Sequence, residues 1–223
     1  MISVAILGTI GVGKTTLLYN LKQVLQKDNK VIVKDEPSVS IPFINEILSK
    51  FYNNGDKWAY PLQLSISAAQ EAFFQELRDT SGEYDIALVD MPYSSDIYGY
   101  SHYKNGRITE SEFNSLLQLG SGYPFDVVVL LSEDKDVTIE RVRKRNTAVN
   151  NGTNSDDRSD LEIADFSYLD KHIEEFKEYE DAWIGKFKKF NPAVRVIKIN
   201  RIPDVSDQEY SDLINNIKTE ILE

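Results

Sequence analysis

Lys14 is the residue whose neighbours say most about chemistry. It stands in Gly8-Thr9-Ile10-Gly11-Val12-Gly13-Lys14-Thr15, which matches G-x-x-x-x-G-K-[ST] in full. The apolar run Ile2–Leu7 precedes this segment. An amphipathic stretch, Thr15–Leu25, follows it with Leu17, Leu18, Leu21 and Leu25 on one face. Glycines there let consecutive backbone N–H groups converge on an anion, and the start of the helix adds a favourable dipole. Lys14 is then placed to reach outer phosphates and the Thr15 hydroxyl to help hold Mg²⁺. Gly8, Gly11, Val12, Gly13 and Thr16 complete the nucleotide-binding set. A glycine turn that merely joins strand to helix explains the glycines but not the whole pattern in this context.

The segment places the chain among the P-loop NTPases and kinases and directs attention to carboxylates and arginines nearby. Asp35-Glu36-Pro37 closes the second apolar run, "KVIVKD". A carboxylate at that point, Glu36, overhangs the sheet edge where ligands of open α/β sheets bind, and can take the proton of an attacking hydroxyl. Asp90 ends a third run, "YDIALVD", where acidic groups of P-loop enzymes stand near the metal. After a fourth run, "FDVVVLL", comes "TIERVRKRN". Arg141 and Arg145 share one helix face there by their R-x-x-x-R spacing. Guanidinium groups can stabilise the charge dispersed over a moving phosphoryl group. The competing reading of these arginines is a solvated charged face.

The rest of the chain supplies the frame. Strands at 2–7, 30–35, 84–90, 125–131 and 194–200 alternate with helices at 15–25, 41–52, 58–78, 109–119, 136–145, 166–190 and 206–222. This predicts an α/β fold with a five-stranded parallel sheet covered on both faces. "TESE" reads as a capping box, with Thr109 the cap and Glu112 its partner. Residues 146–160 form a polar, Asn-rich stretch read as a surface loop, and the 223 residues are read as one domain. A net charge of −11 argues against broad duplex binding, so a nucleic-acid partner is not expected. The absence of cysteine excludes disulfides and, with no signal or membrane-spanning run, points to the cytoplasm. His102 and His172 are isolated and receive no role.

Beyond the phosphate loop the chain resembles the deoxynucleoside kinase family. The resemblance is carried by Glu36-Pro37, by Tyr52, Trp58 and Gln63 in "YNNGDKWAYPLQ", and by Asp90, Ser95-Asp96 and Tyr100 in "VDMPYSSDIYGY". It implies that Tyr52 meets the sugar 3′-hydroxyl, Gln63 and Asp96 read the base edge, Trp58 walls the pocket and Tyr100 stacks on the base. It also implies an arginine-bearing lid over about 138–165, with Arg141, Arg145 and, after an inserted polar loop, Arg158. Met91 and Pro92 depart from the family, which has arginine and serine there. Gln70 stands where some relatives carry an arginine that helps choose the base.

The expected activity is ATP- and Mg²⁺-dependent phosphorylation of the 5′-hydroxyl of a deoxynucleoside. Glu36 is the expected base, Lys14, Arg141 and Arg145 the charge-neutralising groups, and Thr15 and Asp90 the metal holders. Family analogy adds a homodimer. Two rivals stay open at this point. One is a kinase of the same fold acting on a nucleoside monophosphate or a hydroxylated base, even in DNA. The other is a non-catalytic nucleotide-binding subunit, suggested by the missing family arginine.

Overall fold

The first strand, β1 (Ile2–Gly8), is buried from Ser3 onward because both its faces are covered, and its one polar side chain, Ser3, donates to Asp126 at 2.8 Å. Alternate side chains leave a strand on opposite sides. Accordingly Val4 and Ile6 enter one core cluster while Ala5 and Leu7 enter another. The computed structural model describes residues 1–119, 122–150 and 166–223, and of 39, 145–150 and 166–168 the backbone alone. Four further strands join β1: β2 (Val31–Lys34), β3 (Ile86–Asp90), β4 (Val127–Leu131) and β5 (Arg195–Ile199). All pair in parallel, in the order β2-β3-β1-β4-β5. The five parallel strands expected from the alternation of elements are therefore present.

Helices α1 (Lys14–Leu25) and α9 (Gln208–Leu222) cover one face. Leu17, Leu18, Leu21 and Leu25 of α1 meet Tyr210, Ile214, Ile217 and Ile221 of α9 over the strands. The other face is covered by α4 (Gly55–Asp79), α5 (Ser94–Lys104) and α8 (Phe166–Phe190), which contribute Phe74 and Leu77, Ile97, and Phe176, Trp183 and Phe187. The short α2 (Pro37–Ser40) follows β2 and leads into α3 (Pro42–Asn53). The chain also forms α6 (Glu110–Gln118) and α7 (Lys135–Asn150). Among the described residues no helix is long and apolar enough to cross a membrane.

Helix α4 links the sheet to a third, purely helical cluster. Its second half lies on the strands, whereas Ala59, Leu62 and Ile66 pack with Ile44, Ile47 and Phe51 of α3 and with Phe113 and Leu116 of α6. The helix begins at Gly55, three residues before the expected start, because Lys57 N–H donates to the side chain of Asn54 at 3.3 Å. The capping box at Thr109 and Glu112 is present as expected.

Two stretches differ from expectation. The segment after β3, 94–104, which is not among the expected helices, is a full helix, α5 (Ser94–Lys104). It gives no amphipathic signal because Ser94, Ser95, Asp96, Ile97, Gly99, Ser101 and His102 are all buried. Helix α7 runs on to Asn150 rather than stopping at Arg145, since adding a residue to an existing helix is far easier than starting one. The remainder of the expected loop lies outside the described residues.

Phe74 anchors the aromatic core, its ring centroid 5.3 Å from Tyr93, 5.6 Å from Tyr123 and 5.9 Å from Phe125. Replacing it by alanine leaves a cavity among rings that cannot collapse together. Phe74→Ala is expected to lower the unfolding free energy by about 3–5 kcal/mol, read from urea denaturation.

Candidate active site

The phosphate loop closes between β1 and α1 in a form that only glycine tolerates. Gly11 has φ +80° and Gly13 φ +107°, the left-handed region. A side chain at Gly11 would also run into Val142 and come within 3.1 Å of the Thr138 carbonyl on α7. The loop is therefore wedged between two helices with its backbone exposed to whatever it binds. Lys14 is buried and its ammonium donates to the Thr9 carbonyl at 2.9 Å, which lays the side chain back across the loop.

The loop forms the floor of a cavity of about 540 Å³. Gly11, Gly13, Lys14, Thr15 and Thr16 line the floor, and Glu36, Asp90 and Arg141 line the same space. On one side Ile202, Pro203, Val205 and Tyr210, which follow β5, form an apolar flank. On the other, the third cluster contributes Phe51, Tyr52, Leu62 and Ile66, joined by Gln63, Tyr98 and His102. One cavity thus brings together an apolar set of residues, the phosphate loop and a mixed aromatic and polar set.

The two carboxylates after β2 are separated by their partners. Asp35 accepts from the Tyr19 hydroxyl at 2.9 and 3.0 Å, which ties it to α1. Glu36 precedes Pro37, which holds its backbone extended (φ −56°, ψ 133°), and its side chain does not cap α2. Asp90 sits at the last position of β3, opposite Ile6 and two residues short of the loop, and is buried.

Arg141 is anchored rather than free in solution. It donates to the Val12 carbonyl at 3.3 Å and the Ile202 carbonyl at 2.7 Å, and lies 3.4 Å from Glu133, whose carboxylate also accepts from Ile202 N–H. Of Arg145 only the backbone is described, and Arg158 lies outside the described residues.

The nucleoside-contacting residues implied by resemblance are split by the structure. Tyr52 and Gln63 line the cavity, whereas Trp58, Asp96 and Tyr100 are not among its lining residues. Trp58 lies beneath the ammonium groups of Lys50 and Lys57. Asp96 forms a buried ion pair with Lys186 of α8 at 2.6 Å. Burial pushes its carboxyl up to about 6, and the Lys186 charge pulls the other way without cancelling that rise. Tyr100 stacks on Tyr179 of α8 at 4.7 Å and donates to Glu178. The reason is helical phase. Asp96 and Tyr100 are four residues apart and meet Lys186, Tyr179 and Glu178 of α8, while Tyr98, itself stacked on His172 of α8, and His102, four residues further on, line the cavity. Met91, fully buried with φ 48°, is a core residue whose carbonyl accepts from Gln70.

Tyr98 and His102 are the cavity residues that sequence reasoning missed. Recognising α5 as a helix would have offered them as the alternative face. The amide nitrogen of Gln63 lies 3.4 Å from Nε2 of His102. The Gln63 carbonyl oxygen and His102 Nδ1 are buried with no hydrogen-bond partner among the described residues.

A complete phosphate loop with a buried lysine, set between the first strand and first helix of a parallel sheet, defines a P-loop fold. The family model for deoxynucleoside kinases matches residues 4–223, and the chain belongs to that family. It is accordingly a deoxynucleoside kinase by class. Two solved structures of a deoxyadenosine kinase from M. mycoides share the fold. The one with bound dATP has a TM-score of 0.69 and 17% identity, with 97% of this chain and 99% of that chain covered. The one with bound dCTP gives 0.66 and 16%, with 98% and 100% covered. No curated protein sequence matches the chain.

Burial pushes both histidines down to about 3, helped by the charge of Arg107 at His102 and of Lys14 at His172. The unfolded chain takes up protons at both positions below about pH 6.5, and the folded chain does not until near pH 3. Their contribution to stability is therefore complete above pH 6.5 and is lost as pH falls. The expected loss between pH 6.5 and 5 is roughly 2 kcal/mol for each histidine, measured by urea unfolding. His102→Phe is expected to remove about half of that pH dependence.

Proposed function

We propose that the protein transfers the γ-phosphoryl group of ATP to the 5′-hydroxyl of a 2′-deoxynucleoside, with Glu36 as general base. The observation that carries this reading is that Glu36 lines one cavity together with Lys14 of the phosphate loop and Gln63 of the polar pocket. In that arrangement the loop N–H groups and Lys14 hold the phosphates. The apolar flank of Ile202, Pro203 and Val205 suits the adenine of ATP, and the pocket around Tyr52 and Gln63 suits the nucleoside. Tyr52 offers its hydroxyl to the sugar and Gln63 its amide to the base.

Glu36 takes the proton from the nucleoside hydroxyl as that oxygen bonds to phosphorus and the bond to the ADP oxygen breaks. Lys14 neutralises charge on the phosphates between which the bond breaks. Arg141, held by Val12 and Ile202, keeps the cradle in register and adds positive potential at its rim. Thr15 and Asp90 are hard oxygen donors beside the cradle. They would hold Mg²⁺, a hard cation that favours oxygen ligands. When bound, that ion draws off phosphate charge. The nucleotides named in the M. mycoides structures, dATP and dCTP, support a deoxynucleoside as the acceptor class.

Glu36→Gln keeps the shape and removes the base. It is expected to lower kcat for nucleoside-dependent ADP formation by about 10²–10⁴-fold and to leave the nucleoside KM nearly unchanged. A variant with wild-type kcat would transfer the role to another group.

A further inference from the structure

We propose that Glu133 is a positioning residue for the phosphate donor. It holds the peptide of Ile202 and the guanidinium of Arg141 in one closed ring of polar contacts, so that the apolar flank and the phosphate loop act together on one nucleotide. This role rests on the reading of loop and flank as the ATP site.

Glu133 stands two residues beyond β4 and is not among the residues that line the cavity. Its side chain is only 7% exposed, and both carboxylate oxygens have partners. Oε1 accepts from the Asp134 N–H at 3.0 Å, which ties the carboxylate to its own turn. Oε2 accepts from the Ile202 N–H at 3.0 Å and lies 3.4 Å from Nη2 of Arg141. The same Nη2 donates to the Ile202 carbonyl at 2.7 Å. Ile202 is thus gripped at its N–H and at its C=O, and the pair of opposite charges closes the ring.

What the ring positions is the donor part of the cavity. β5 ends at Ile199, and residues 200–207 run without strand or helix until α9 begins. Ile202, Pro203 and Val205 of this stretch line the cavity, and Ile202 is its buried member. A stretch of that kind holds one shape only where other groups supply the bonds that a ladder would. Arg141 extends the hold to the phosphate loop, since its Nη1 donates to the Val12 carbonyl at 3.3 Å. A carboxylate suits the centre of this arrangement because it only accepts, and because it balances the guanidinium. Without it the Ile202 peptide is free to turn and Arg141 loses the Glu133 charge. ATP must then order both on arrival.

The test measures binding and turnover separately. Calorimetric titration of Glu133→Ala with ATP, without nucleoside, is expected to give a Kd roughly tenfold above the wild-type value. The KM for ATP is expected to rise in parallel. At saturating ATP, kcat and the KM for the best-accepted deoxynucleoside are expected to stay within about threefold of wild type. Inorganic tripolyphosphate, which meets the loop but not the flank, is expected to lose less affinity than ATP. Glu133→Gln keeps an acceptor for the Ile202 N–H and is expected to raise the ATP Kd by only about threefold. That variant also provides the reading should the alanine variant not fold. Three results overturn the proposal. One is an ATP Kd in Glu133→Ala, or in Glu133→Gln where alanine does not fold, no different from wild type. Another is a nucleoside KM that rises in step with the KM for ATP. The third is an equal loss for tripolyphosphate and ATP. A wild-type protein that binds no ATP instead defeats the donor-site reading on which this role rests.

Discussion

A parallel sheet brings the ends of all its strands to one edge, and the rest of this molecule is arranged around that constraint. Because β1 and β3 pair with Ile6 opposite Asp90, the carboxylate of Asp90 stands close below the loop that starts at Gly8. Because β2 pairs outside β3, its continuation into Glu36 reaches over the same edge. No loop has to travel far to assemble these groups. The register of hydrogen bonds between strands does the positioning, and hydrogen bonds of that kind do not slip when both faces of the sheet are buried.

The same edge concentrates charge of both signs in a chain whose net charge is −11. An acidic protein that must hold polyphosphate needs a local reversal of potential. The reversal comes from backbone N–H groups, one buried lysine and an arginine braced by carbonyls. The brace itself matters. Arg141 shares Glu133 with the Ile202 N–H, so β4, α7, the phosphate loop and the segment after β5 are linked through one guanidinium. The cradle is thus held by groups outside it, which lowers the cost of ordering it when an anion arrives.

What could be read from the chain tracks the length over which each signal acts. The phosphate loop was legible because its chemistry lies in eight consecutive residues. The five strands were legible because each is buried on both faces or flanked by turn residues. Glu36, Tyr52 and Gln63, singled out by the resemblance, line the cavity. Helix α5 was not legible. A helix surrounded by neighbours has no polar face to reveal its period, and small residues such as Gly99 admit close contact with α6. Without that period, pattern matching selected the positions of Asp96 and Tyr100, whose partners on α8 lie far along the chain.

Those partners explain why the choice of face is firm. The carboxylate of Asp96 and the ammonium of Lys186 are 2.6 Å apart with side chains only 3% and 14% exposed. Turning α5 to bring Asp96 into the cavity would separate them and strand a charge, which costs about 3–5 kcal/mol. It would also unstack Tyr100 from Tyr179. Successive residues of a helix are about 100° apart, so fixing the azimuth of Asp96 fixes that of every other side chain on α5. The buried pair lines no part of the cavity, yet it fixes the azimuth of Tyr98 and His102, which do line it. A binding surface on one face of a helix is set by the packing chemistry of the other.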